Sequence, residues 1–170
     1  MSDKIHTPED LYFDQLQDIH SFTAMLIPSY TELSVMAASP ELRALLVERS
    51  VATQESRKSV QQIFSRHGHP ISADVCKAMD GLIEGGHEHV KRADDARVRD
   101  LLLVAHFNRV LHYSMAAFSF TASLADCLGF VDDAAILGHI LEQERDARDL
   151  LAQSAATGFD PCMLESLAET

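Results

Sequence analysis

Nine histidines and 26 Asp and Glu residues give this 170-residue chain ample material for metal binding or acid–base chemistry. What matters is which of them share an inward helical face. Helix bundles that hold two metal ions take a Glu from each of two helices and a Glu-x-x-His pair from each of the other two. No Glu-x-x-His is read anywhere in the chain, and His139-x-x-Glu142 runs in the reverse order. The first of the four long helical stretches offers His20 beside Thr23. The second offers Glu48 and Glu55 flanking Ala52. The third carries His106, Asn108 and His112, with Leu111 and Ser114 at the centre of its face. The fourth carries Glu144 and Arg148, with His139 and Glu142 to either side. By spacing alone, a di-metal site is not supported. His67, His69, His87 and His89 fall in two pairs in connecting segments with no second cluster nearby, and Glu84 reads as a brace in the crossover.

The elements that must position these residues are all helical. Thr7-Pro8-Glu9-Asp10 is a start signal, with Thr as N-cap, Pro in the first turn and acids on the positive end of the dipole. Leu16, Ile19, Thr23, Leu26, Tyr30, Leu33 and Ala37 then recur at helical spacing, with Pro28 expected to kink the run. Ser39-Pro40-Glu41 opens a second helix, with Leu42, Leu45, Arg49, Ala52, Ser56, Val60 and Ile63 on one side, ended by Gly68 to Pro70. A shorter helix is expected from Val75 to about Ile83, weakened by Gly85 and Gly86. Asp94-Asp95 precedes a third long helix facing inward through Leu103, Phe107, Val110, Ser114, Phe118, Thr121, Ala125 and Leu128, closed by Gly129. The last runs from Asp132-Asp133 through Leu137, Leu141, Glu144, Arg148 and Leu151 to Gly158. With period-2 alternation absent, the expectation is an all-α four-helix bundle with one long crossover carrying a short extra helix. One domain, 1–170, is expected, with a core over about 8–156 and a C-terminal tail over 157–170.

Composition narrows the function. Hydrophobic residues are 46% and charged residues 24%, values of an ordinary globular chain. A net charge of −12 argues against nucleic acid and anionic lipid. The basic Arg97 and Arg99 follow Asp94 and Asp95, so no basic patch forms there. Cys76, Cys127 and Cys162 form no CxxC and read as buried small residues in a reducing compartment. Met1 to Asp10 has no apolar run of the secretory kind, so a cytoplasmic location is expected. Met25, Met36, Met79 and Met115 read as core filler.

Several local strings carry a resemblance. They are Pro8-Glu9-Asp10-Leu11, Ser39-Pro40-Glu41-Leu42, Val98-Arg99-Asp100, His112-Tyr113, Leu141-Glu142-Gln143-Glu144-Arg145 and, most specifically, Cys76-Lys77-Ala78-Met79-Asp80-Gly81-Leu82-Ile83-Glu84. Through them, over about 8–155, the chain resembles the YciE/YciF stress-protein family of the ferritin-like superfamily. The resemblance implies a ferritin-like bundle, a dimer, and a di-iron centre held by carboxylates. This chain departs from that pattern at the ligand positions. Thr23 stands for a Glu, Val51 and Ala52 for acids, Leu111 and Ser114 for the two Glu of a Glu-His-Tyr-Glu string, and Arg148 for an Asp, while Glu144 is kept.

These losses are physically linked, because unpaired buried charge is very costly. Once the cations go, the acids must go or find a partner. The i,i+4 spacing of Glu144 and Arg148 is expected to provide that partner. The first expectation is therefore a binding or structural protein with a degenerate, metal-free site and no cofactor. The alternative is an enzyme reusing the central cavity, in which His20, Thr23, Glu55, Asn108, His112, Ser114, Glu144 and Arg148 hold a small molecule for acid–base chemistry. A third expectation moves the metal, placing iron or manganese in a mononuclear site of His20, Glu55 and Glu144, with His139 as a further ligand. A homodimer is expected, with Phe120 and Phe130 lying off the main inward face.

Overall fold

Each long helix begins where the sequence supplies a partner for its free amides. The computed structural model describes residues 4–158, with five helices in chain order: α1 (Pro8–Met36), α2 (Pro40–His67), α3 (Lys77–Lys91), α4 (Ala96–Cys127) and α5 (Val131–Gly158). At α1 the Thr7 hydroxyl accepts from the Asp10 amide while the Asp10 carboxylate accepts from the Thr7 amide, a reciprocal capping box. Ser39 caps α2 through the Leu42 amide, and Asp95 caps α4 through the Arg97 and Val98 amides. Gly68 and Gly129 take positive φ, 62° and 78°, just past the ends of α2 and α4. There the left-handed turn favours a residue without Cβ.

The architecture is all-α, a ferritin-like four-helix bundle with one long crossover. α1 packs along α2, and α4 along α5, while α3 lies in the crossover against α1 and α4. The core is built from the expected faces: Leu16, Ile19, Leu26, Tyr30 and Leu33 of α1 meet Leu42, Leu46, Val60 and Ile63 of α2. Leu103, Phe107, Val110 and Phe118 of α4 meet Leu137, Leu141 and Leu151 of α5. Helix α1 is continuous through Pro28, which is exposed.

One element departs from expectation. The crossover helix starts at Lys77, with Cys76 as its cap, and continues through Gly85 and Gly86 to Lys91 instead of ending near Ile83. Gly86 does not break it because tertiary packing requires a glycine there. A Cβ at that position would overlap the ring of His106 in α4. The residues from 159 onward, including Cys162 and most of the expected tail, lie outside the described residues.

Candidate functional site

The centre of the bundle holds one carboxylate, and its partner comes from another helix. Glu144 of α5 and Arg49 of α2 are both inward, with side chains 4% and 5% exposed, and the Arg49 guanidinium donates directly to Oε1 of Glu144. The expected pair of Glu144 with Arg148 does not form. Arg148 donates instead to Asp149 at 2.6 and 2.8 Å, with its side chain 38% exposed. The reason is reach. A long side chain at the border of the core carries its charge out to water, whereas Arg49 stands on an inward position and has no such exit.

Around this pair the polar groups are sparsely satisfied. Glu144 Oε2, Arg49 Nε, the Tyr30 hydroxyl and Ser114 Oγ are buried without a hydrogen-bond partner. Burial pushes the Glu144 carboxyl above its ordinary range, and the Arg49 charge and hydrogen bond pull it back down. Burial also pushes the Tyr30 hydroxyl well up, helped by the nearby Glu144 charge. Apolar rings close the space. Tyr30 stands edge-on to Phe107 at 5.3 Å, and Phe22 edge-on to Phe118 at 6.0 Å.

The other expected site residues do not converge here. Thr23 is inward, but its hydroxyl donates back to the carbonyls of Ile19 and His20 at 2.8 and 3.0 Å. His20 lies between α1 and α2, 3.2 Å from Gln61 and edge-on to Phe64; burial lowers its pKa, as does the charge of Arg57. Glu55 is exposed and bonded to Lys58 at 2.8 Å. Asn108 and His112 are exposed, and His112 contacts the Asn108 carbonyl. His139 is exposed beside Gln143. The relocated site of His20, Glu55 and Glu144 is therefore not assembled: Glu55 is exposed on α2 and paired with Lys58, while Glu144 is buried on α5 and paired with Arg49. Among the described residues, no three His, Cys, Asp or Glu are grouped so as to hold a metal ion.

The di-iron centre implied by the family pattern does not fit these residues. Leu111 and Ser114 supply no carboxylate, Val51 is exposed, and Ala52 has nothing to donate. The remaining acid, Glu144, already faces a fixed cation that would repel a divalent ion. The expectation that the chain holds no Glu-x-x-His is corrected at one place, since Glu84 to His87 in the crossover has that spacing. It forms no metal site: Glu84 is exposed, while His87 turns to Ser29 of α1 at 2.9 Å.

A second polar cluster escaped sequence reasoning. Asp133, at the start of α5, is 1% exposed and accepts from the Tyr12 hydroxyl at 2.9 Å, from Arg66, and from His67 Nε2 at 2.6 Å. His67 is held by Phe13 and Phe130, with ring centroids 5.3 and 4.6 Å away. Phe130 thus packs inward, and the cluster borders a hollow of about 270 Å³ at the end of the bundle. In the sequence Asp133 reads only as a helix-start acid, and nothing local points to its three partners.

Comparison with known proteins agrees with the fold. The profile of the family described as "Domain of unknown function (DUF892)" matches residues 7–160. The chain belongs to this family. It is 28% identical over 140 residues to the protein YciF of Escherichia coli strain K12, covering 82% of this chain and 84% of that one. The solved structure of the Escherichia coli stress protein YciF superposes with a TM-score of 0.87 at 27% identity, covering 91% of this chain and 98% of that one. YcfI of Rhodopseudomonas palustris, whose description proposes a structural role, superposes with a TM-score of 0.85 at 28% identity, covering 89% and 97%. The resemblance read from the local strings is therefore correct. Among the described residues, no helix is long and apolar enough to cross a membrane.

Proposed function

We propose that this chain is a binding or structural protein of the YciF type, in which a protein-borne cation, Arg49, has taken the place of a di-iron centre. The observation that carries this reading is the buried Arg49–Glu144 pair in the middle of the bundle. A carboxylate there needs a positive partner to be tolerated at all, and the guanidinium supplies it without any ion. The replacement of family acids by Thr23, Leu111 and Ser114 supports the same reading. No cofactor is expected.

The direct test is elemental analysis of protein purified from cells grown with added iron and manganese. The expected result is far less than one ion per chain, and a pair of ions per chain would overturn the reading. Catalytic reuse of the interior has less support. Phe22, Phe107 and Phe118 are each no more than 1% exposed, bulky core rings that argue against it. We place the protein in the cytoplasm as a homodimer, with no nucleic-acid partner. The half-exposed Phe120 of α4 favours association. Sedimentation should give a dimer at micromolar concentration, and a monomer would remove that part of the proposal.

A further inference from the structure

His106 is an imidazole to which the bundle gives no hydrogen bond. It sits on the inward side of α4, 1% exposed, and neither ring nitrogen has a partner. A leucine there would avoid the cost of burying an unpaired donor and acceptor. The ring lies against the backbone of Gly86, where any Cβ would overlap it. The crossover helix α3 is thus seated directly on an imidazole. The next residue, His87, presents its own ring 6.1 Å away at 85°. His87 also ties α3 to α1, with Nε2 2.9 Å from Ser29 Oγ and Nδ1 3.5 Å from the Glu32 carboxylate.

We propose that His87 and His106 form an acid-responsive latch. Protonation of this pair releases α3 from α1 and α4 while the four long helices remain assembled. Across the α3–α4 contact, His87 and His89 of α3 oppose a positive charge on His106, and release separates them, whereas Arg109 of α4 and Lys91 of α3 stay beside His106 and His87 in both states and favour neither. Glu32 of α1 favours a charge on docked His87 and so opposes release, but its side chain is 68% exposed and screened. The rest of the α3 contact is light beside that of the long helices: its buried residues are Met79, Gly86 and Val90, Leu82 and Ile83 pack partly buried against the core, and its cap Cys76 is bonded to Ser21 and Tyr113. Local opening of so lightly packed an element should precede loss of the bundle.

The direction follows from linkage. Burial, as the largest cause, lowers the His106 pKa to about 4 in the docked state, against about 6.5 when released. Burial lowers His87 as well. The docked state therefore has its full stability above pH ~6.5 and loses it as pH falls toward about 4. From His106 alone, the fraction of molecules with α3 open should rise roughly 20-fold between about pH 7 and pH 5.

Hydrogen exchange of the full chain, read by mass spectrometry and corrected for intrinsic rates, tests this. Between the two pH values, protection of the α3 amides should fall on the order of 20-fold, while the central amides of α1 and α5 change far less. The variant His106→Phe should keep α3 protected at the lower pH. A fall in α3 protection that merely follows the other helices, or that persists in His106→Phe, overturns the latch. Should that variant fail to fold, an NMR titration of His106 in the natural chain decides. A midpoint well below the ordinary imidazole value supports the latch, and an ordinary midpoint refutes it.

Discussion

Two buried carboxylates stand on α5, about three helical turns apart, and their surroundings differ sharply. Asp133, at the helix start, receives a tyrosine hydroxyl, a guanidinium and an imidazole from two other helices. Glu144, in the middle of the helix, receives one guanidinium, and its second oxygen receives nothing. Position accounts for the difference. At a helix start the free amides favour negative charge, and side chains can converge there from the ends of neighbouring helices. In mid-bundle only an inward side chain of a facing helix can reach, and the rest of the space is filled by rings. Asp133 is a completed polar joint. Glu144 is an isolated mid-bundle charge, kept tolerable by a single cation.

That contrast breaks first at Arg49. Replacing Arg49 by Ala leaves Glu144 buried without its cation and should destabilise the protein by about 3–5 kcal/mol, as read from urea midpoints. The double variant Arg49→Met with Glu144→Leu should recover most of the loss, because an apolar replacement of both partners of a buried pair is often near neutral. A double variant as damaged as Arg49→Ala would mean that the pair contributes more than mutual tolerance.

At the other carboxylate the expected loss is smaller and shared among partners. Asp133→Asn keeps the shape but removes the charge from bonds to Arg66 and His67. Hydrogen bonds to charged groups contribute about 1.5–3 kcal/mol, and the loss should fall in that range. Tyr12→Phe, which removes one neutral donor, should cost about 0.5–1.5 kcal/mol. Thermal midpoints of the two variants rank the contributions. A Tyr12→Phe effect exceeding that of Asp133→Asn would show that the phenol, not the charge, organises this end of the bundle.

Legibility in the sequence followed the range of the interactions. The four long helices could be read because caps such as Thr7 and Ser39 and the three- and four-residue spacing of Leu, Ile and Phe are local. The full length of the crossover helix is not legible locally, because Gly85 and Gly86 look like breakers and the ring of His106, which requires Gly86, is twenty residues away. The inward position of Arg49 was visible in its spacing with Leu45 and Ala52. Its partner was not, since i,i+4 proximity made Arg148 the obvious choice and pairing across helices leaves no local trace. Asp133 shows the same limit: a capping acid and a buried joint look alike until Tyr12, Arg66 and His67 are brought to it by the fold.

The smallest expected effect sharpens the comparison most directly. Arg148 stands one helical turn beyond Glu144 yet bonds its own neighbour, Asp149, at the surface. Exposed pairs of this kind contribute about 0–1 kcal/mol, since solvent screens them and holding two long side chains costs entropy. Arg148→Ala should therefore shift the urea midpoint by less than about 1 kcal/mol equivalent, several-fold less than Arg49→Ala. The two variants remove the same charged group, one from the helix that carries Glu144 and one from the helix that faces it, so propensity and net charge largely cancel in their comparison. Equal losses would mean that both guanidiniums serve Glu144. A larger loss at Arg148 would transfer the counter-charge to α5 itself, and Arg49 would then be a buried cation in need of another explanation.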